Sequence, residues 1–411
     1  MNREDFVQLI SPEGQALLAQ VGDLDAKADV LRLVSELRGA GHDAALVAAV
    51  LSQAKLRRRA RAKFGEFATQ MLFTEDGLEQ SSRLSVAAQH AGRFRSAGIG
   101  HVADLGCGIG AESLALAGIG LEVSAFEIDE VTAAVAQYNL NPFENATVTQ
   151  ADVTDPALDL SRFDALFFDP ARRELGGPRA SAAKRKFNPA DYSPNFDWVL
   201  EQAAKKPTGI KLGPGHPHEG IPAEAEAQWV SVGGDLVELG LWFGALARES
   251  VARSVLLLNE GQRHEFNSAS REQEPAPVGP LGEYVYEPDA GIIRAHLIGE
   301  LAEQLDLRAL DPAIAYLTSP IDAAKNLSDA ASASPWLRSY RVIDELPFDR
   351  KKLKAYLRER RIGILEIKKR GVDITPEKLR TELQLKGEGA ATLILVRVGD
   401  THRALVTEPI R

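Results

Sequence analysis

From His101 the chain alternates short apolar runs with stretches of helical periodicity: Val102–Leu105, Glu112–Ala117, Glu122–Ile128, Val131–Tyr138, Ala146–Thr149 and Ala165–Phe168. Strands separated by helices build βαβ units, so this part is predicted to form a parallel sheet covered on both faces. Later strands are expected at Thr208–Leu212, Trp229–Val232, Leu236–Phe243 and Ser254–Leu258, with the short Gly233-Gly234 link marking an antiparallel element at the sheet edge. The first 70 residues read as helical, with Leu31, Val34, Leu37 and then Ala44, Val47, Val50, Leu51 recurring at spacings of three and four. Met71–Gln80 breaks that rhythm and reads as a loop before a helix near Leu84–Phe94.

Beyond the sheet, Asn259–Pro280 is rich in Glu, Gln, Ser, Gly and Pro and reads as a linker. Glu283–Tyr286 (strand), Ala290–Leu305 (helix) and Ala313–Leu317 (strand) form a small α+β unit, and the Ala/Ser-rich Ala323–Pro335 separates it from the tail. The tail reads strand, helix, strand, helix, strand, strand, with Thr375-Pro376 as a helix start, threonine at the N-cap and proline at the first helical position. The expected division is a helical region over 1–80, the sheet over 81–260, a small α+β unit over 275–335 and a tail unit over 336–411, within the reach of a 411-residue chain.

The first strand runs into Val102-Ala-Asp-Leu-Gly-Cys-Gly-Ile-Gly-Ala-Glu112. Gly106, Gly108 and Gly110 let the backbone turn tightly and let a ligand lie against it. Asp104, two residues before the loop, can face an ammonium, where a pyrophosphate would be repelled. Glu127, with Ile128 beside it, ends the second strand, where an acid accepts both hydroxyls of a ribose. Asp152 follows the third strand and can accept the amino group of adenine while Val153 offers a backbone N–H. Ammonium, ribose and adenine together describe S-adenosylmethionine better than NAD. The run Phe163–Phe168 then ends in Asp169-Pro170 at the sheet's C-terminal edge, where open α/β sheets place ligand chemistry. Asp169 and the Pro170 carbonyl can there be fixed toward an incoming nucleophile.

The net charge of −10 argues on its face against a nucleic-acid partner, but it is unevenly spread. Arg341–Arg411 holds 17 Lys+Arg against 11 Asp+Glu, a net of +6, leaving 31 against 47, or −16, before it. Two basic clusters interrupt the acidic part, Lys55–Lys63 and Arg172–Lys186; either can be a solvated face. Arg172, Arg173, Arg179, Lys184, Arg185 and Lys186 fall just past the reacting edge, where they suit phosphate contacts that position a substrate without reading its sequence. The lone Cys107 excludes an internal disulfide framework and a Cys-cluster zinc site, and fits a reducing cytoplasm. His216 and His218 lack a third ligand, so no metal is expected and their loop reads as polar. The absence of an apolar run near 18 residues argues against a membrane span.

Residues 101–173 resemble motifs I to IV of class I S-adenosylmethionine-dependent methyltransferases, in order and with ordinary spacings. Asp169-Pro-Ala-Arg-Arg173, Met71-Leu-Phe-Thr74, Gly209-Ile-Lys-Leu-Gly-Pro-Gly215 and the basic tail more narrowly resemble a bacterial methyltransferase family with a C-terminal THUMP-like domain. The resemblance implies a Rossmann-like methyltransferase sheet, a ferredoxin-like piece before the tail and methyl transfer to structured RNA such as tRNA or rRNA. Motif IV departs from the Asp/Asn-Pro-Pro-aromatic of amino-directed nucleic-acid enzymes, so a stacking ring must come from elsewhere, with Phe187, Tyr192 and Trp198 as candidates. The Asp-Pro-Pro-Arg of RNA 5-methyluridine enzymes needs a cysteine nucleophile, and Cys107 lies inside the cofactor loop. Methylation of a protein or small molecule is the alternative enzyme reading. A non-catalytic RNA-binding protein with a retained cofactor pocket is the third; the intact Asp104, Glu127, Asp152 and Asp169 set speaks against it.

Overall fold

The run Val102–Leu105 is buried along its length, as a central parallel strand must be. In the computed structural model it lies in β1 (His101–Leu105), flanked in parallel by β2 (Glu122–Glu127) and β4 (Ala165–Phe168), with β3 (Ala146–Gln150) beyond β2. β5 (Ala171–Arg172) and β6 (Tyr192–Ser193) form a separate pair. β7 (Thr208–Leu212) joins β4 in parallel. β8 (Glu226–Val232) leads through the positive-φ turn Gly233-Gly234 to β9 (Asp235–Phe243), which runs antiparallel to β7. The order β9-β7-β4-β1-β2-β3 places the C-terminal ends of the parallel strands along one edge.

The structure describes residues 1–22, 30–172, 191–319, 329 and 331–410. It divides into two compact units, Met1–Ala227 with Glu238–Glu249, and Gln228–Val237 with Ser250–Arg411. In the first unit, Leu17, Leu46, Val50, Ala54 and Phe64 from the N-terminal helices share one core with Val102, Val123, Phe167 and Trp242 of the sheet. Residues 1–80 and 81–227 are therefore one body, and no unit boundary falls at residue 80. Among the described residues no helix is long and apolar enough to cross a membrane.

The second unit revises three expectations. Residues 262–268, read as linker, are strand β11 (Gln262–Ser268), antiparallel to β10 (Arg253–Asn259). Only Phe266 and Ser268 of it are buried, and its polar composition hid the alternation. The helix expected over Ala290–Leu305 is two helices, Ala290–Arg294 and Ile298–Gln304, broken where His296 takes φ +59°. The strands expected as a separate ferredoxin-like piece, β12 (Tyr284–Pro288), β13 (Arg308–Asp311) and β14 (Ile314–Thr318), pair into the same sheet as the tail. With β15 (Leu337–Pro347), β16 (Ile362–Arg370), β17 (Gly389–Val398) and β18 (Thr401–Pro409), they give seven strands in the order β13-β14-β12-β15-β18-β17-β16. The helices Arg350–Glu359 and Pro376–Leu383 cover one face through Leu353, Leu357, Leu379 and Leu383. Pro376 opens the second helix as expected, but the Thr375 side chain makes no capping bond.

Candidate active site

β1 turns through Gly106-Cys107-Gly108-Ile109-Gly110 into the helix Ala111–Gly118. The three glycines hold φ of 90°, 56° and 87°, a left-handed conformation costly for other residues. The Gly106 and Cys107 amides both donate to the Phe126 carbonyl at 2.9 Å. The Gly108 and Asp129 amides donate to the two Glu127 oxygens, each at 3.0 Å, so that carboxylate ties the loop to the next helix. A cavity of about 790 Å³ opens here, lined by Asp104, Gly106, Gly108, Glu127, Ile128, Asp152, Val153 and Asp169. Sequence reasoning named each of these. Gly110 and Pro170 do not line it: Gly110 caps the helix facing Leu140, and Pro170 is buried. Ile128 is 63% exposed, an apolar side chain standing open on the wall. Asp152 accepts from the Thr154 amide and hydroxyl at 2.9 and 2.7 Å, which holds its carboxyl below the usual range.

Beneath the cavity lies a buried charge network that sequence reasoning only partly saw. Asp104 accepts from Ser113 Oγ at 2.5 Å through Oδ2, while its Oδ1 is buried without a partner; burial pushes its pKa up to about 7. Lys211 Nζ lies 2.5 Å from Asp169 Oδ2 and donates to the Gln80 carbonyl at 3.1 Å. Burial disfavours the Lys211 ammonium, but Asp169, Glu238 and Glu112 outweigh it and hold the lysine charged. Burial likewise raises Asp169, opposed by Lys211. His90 sits between Glu112 Oε2, at 3.1 Å from Nδ1, and Glu238 Oε1, at 2.8 Å from Nε2. Burial alone would lower His90, yet these two carboxylates push it to about 10. Two cations thus serve four carboxylates, with Asp104, Glu112, Asp169 and Lys211 reaching the cavity wall.

Thr74–Gly77 and Gln80–Ser82 also line the cavity, with Gly77 packed close against Ile109 of the glycine loop. This stretch, expected as loop, contains the short helix Glu75–Gln80, capped by Thr74. The basic cluster Lys55–Lys63 holds it in place. Arg57 is buried and donates to the Met71 carbonyl at 2.9 Å. Lys63 donates to the carbonyls of Leu78, Glu79 and Ser81 at 2.8, 2.7 and 2.7 Å, and Arg59 pairs with Glu75. These residues serve the cavity wall, a use the charge run did not disclose.

Of the residues assigned to substrate, Arg173, Lys184, Arg185 and Lys186 lie outside the described residues, as do Arg179 and Phe187. Arg172 is placed by its backbone, in register with Tyr192. Tyr192 is 4% exposed and packs on Phe196 and His216; it does not line the cavity, whereas the following Ser193–Asn195 do. Trp198 packs edge-on against Phe168. The loop expected to be polar at His216 instead buries that residue against Tyr192 and Phe196, because its ring completes an aromatic cluster.

The chain is 31% identical over 361 residues to an uncharacterized S-adenosylmethionine-dependent methyltransferase of Mycobacterium tuberculosis, a match covering 86% of this chain and 93% of the relative. Residues 337–409 match the family described as THUMP domain-like, and residues 2–60 match a domain of unknown function. A provisionally named methyltransferase from Porphyromonas gingivalis W83 shares the fold, with a TM-score of 0.70 at 21% identity over 95% of this chain and 100% of that one. With a glycine loop opening on an acidic cavity and kinship over most of its length, the chain belongs to the S-adenosylmethionine-dependent methyltransferases.

Proposed function

We propose that the chain methylates a base of structured RNA, such as tRNA or rRNA, at an exocyclic amine. The observation that carries the RNA part is the coincidence of the THUMP domain-like stretch, residues 337–409, with the basic tail. The cavity chemistry suits the donor. Asp104 has a buried, unpartnered Oδ1 for the ammonium, Glu127 keeps free lone pairs for the ribose hydroxyls, and Asp152 with Val153 and Ile128 suits the adenine. When bound, S-adenosylmethionine supplies a methyl group already activated on a sulfonium. Asp169, fixed by Lys211, would accept an N–H of the target amine and aim its lone pair, and the Thr74–Ser82 wall would exclude water. Arg172, Arg173, Lys184, Arg185 and Lys186 would hold phosphates beside it, with Tyr192 supporting that edge. The test is incubation of the full chain with methyl-labelled cofactor and total bacterial RNA. Label in nuclease-sensitive material is expected; label confined to protein or small molecules defeats the RNA reading.

Two binding predictions follow from the wall. Asp104 must give up its proton to meet an ammonium, so affinity should rise as pH climbs from about 5.5 to 7.5, before the cofactor's own α-amino group titrates near 7.7–8.0. Calorimetry in buffers of different ionisation enthalpy should register proton release on binding, and Asp104→Asn should abolish that release. Lys63→Met removes three charged hydrogen bonds to the wall, and is expected to weaken cofactor binding about tenfold, or roughly 1.4 kcal/mol, in equilibrium titration. An unchanged Kd would show that the wall holds without its tether.

A further inference from the structure

A second cavity, about 420 Å³, lies wholly within the C-terminal unit. Its wall carries three cations, Arg338, Lys368 and Arg370, and two carboxylates, Glu287 and Asp289. The seven-stranded sheet coils enough to bring β16 back to β12: Lys368 Nζ lies 2.7 Å from Glu287 Oε2 and Arg370 Nη2 lies 3.5 Å from Oε1. Aromatic rings fix both cations further, Tyr340 under Lys368 and Tyr316 under Arg370, at 5.7 and 5.2 Å from the ring centres. Asp289 is committed elsewhere, its Oδ1 accepting from the Gly291 amide and the Ser231 hydroxyl, both at 2.7 Å.

Two guanidinium groups still have donors to spare. Arg370 Nε is buried with no hydrogen-bond partner, a costly state that a ligand oxygen would relieve. Arg338, exposed and in register with Glu287 on the neighbouring strand, makes no ion pair or hydrogen bond through its side chain among the described residues. Gly234 leaves it room: at φ +88°, a Cβ there would fall 2.3 Å from Arg338 Nη2. Three cations against two carboxylates leave a net +1 around a cavity of ligand size, and guanidinium forks match tetrahedral oxyanions in pairs of parallel bonds.

We propose that this cavity is a phosphoryl-binding site, with Arg338 and Arg370 as its donors and Lys368 as the supporting charge. Gly233-Gly234 and Glu287–Ala290, which line it, lie outside the THUMP domain-like stretch, so the site is built by the whole C-terminal unit. The phosphoryl group can come from an RNA backbone or from a free nucleotide. Only the first source rests on the RNA reading above.

The test titrates the full chain with a short oligoribonucleotide, with AMP and with inorganic phosphate over a range of salt. Arg338→Glu is expected to weaken oligoribonucleotide binding by about tenfold or more and to flatten the log–log salt slope by about 0.7 for each phosphate that is no longer neutralised. Arg338→Lys should keep the slope and lose part of the affinity, because it keeps the charge and loses the fork. S-adenosylmethionine affinity should be the same in both variants, which reports an intact catalytic unit. Arg338-dependent binding of the oligoribonucleotide assigns the site to RNA. Arg338-dependent binding of AMP or phosphate alone assigns it to a free nucleotide and still supports the site. Binding of all three probes that Arg338→Glu leaves unchanged overturns the proposal, as does binding of none. Absence of methyl label in RNA would defeat the RNA reading while leaving Arg338-dependent AMP binding untouched.

Discussion

Asp169→Asn is expected to lower methyl transfer by about tenfold, the difference between a charged and a neutral hydrogen bond, while leaving cofactor binding nearly unchanged. The carboxylate stands at the end of β4 with Oδ2 already given to Lys211 at 2.5 Å, so the free oxygen is the group left to meet an acceptor N–H. The amide keeps the shape and loses the charge that draws the amine. Its cost should therefore appear in kcat, since Asp104, Glu127 and Asp152, the groups proposed for the cofactor, are untouched. Asparagine is preferable to alanine. An alanine here would leave the half-buried Lys211 without its partner and confuse loss of chemistry with loss of fold. Single-turnover rates at saturating cofactor, beside a cofactor Kd, separate the two. A variant that transfers as fast as the parent chain removes Asp169 from the mechanism.

The sequence disclosed the parts of the site that one physical rule organises. In a parallel sheet every strand ends at the same edge, so acids that follow successive apolar runs must converge, as Asp104, Glu127, Asp152 and Asp169 do around one cavity. Lys211 falls inside the apolar run Thr208–Leu212, and its partner depends on strand order. Only the placement of β7 beside β4 brings it to Asp169. His90 and Glu238 carried no such signal, because a charge in a helix or strand that pairs across the core looks like any surface charge. The Lys55–Lys63 cluster misled for a related reason. Arg57 lies on the buried stripe Gln53, Arg57, Ala60, Phe64 and Lys63 flanks it, both donating to carbonyls of residues 71–81, and carbonyl acceptors leave no trace in a sequence. The Ala/Ser-rich stretch falls just before the THUMP domain-like residues 337–409 but does not separate two sheets, because spacer composition marks where a chain leaves a strand, while sheet membership is decided by pairing. β12 pairs with β15 across the Ala/Ser-rich stretch.

Lys211→Met should move the acid limb of the pH–rate profile upward by roughly one to three units, the range an adjacent cation commands over a carboxyl. Every charged element facing Asp169 enters that expectation: Asp104 from β1, Glu112 from the helix after the glycine loop, Glu238 from β9 and Lys211 from β7. Burial and the neighbouring carboxylates raise Asp169, and Lys211 is the cation that counters them. Without Lys211 the carboxyl takes up a proton at a higher pH and can no longer accept an amine N–H through that oxygen. Activity would then be lost at neutral pH and recovered as pH rises, with kcat affected far more than the KM for cofactor. A carboxyl whose folded pKa is raised also favours the fold at low pH and loses that contribution as pH rises through the folded value. The variant should therefore be less destabilised at acid than at alkaline pH. Lys211→Arg keeps the charge beside Asp169 and should restore the limb. A limb that stays in place in Lys211→Met, with normal cofactor binding, would reduce the lysine to a tether for the Gln80 carbonyl and leave Asp169 to be held ionised by some other group.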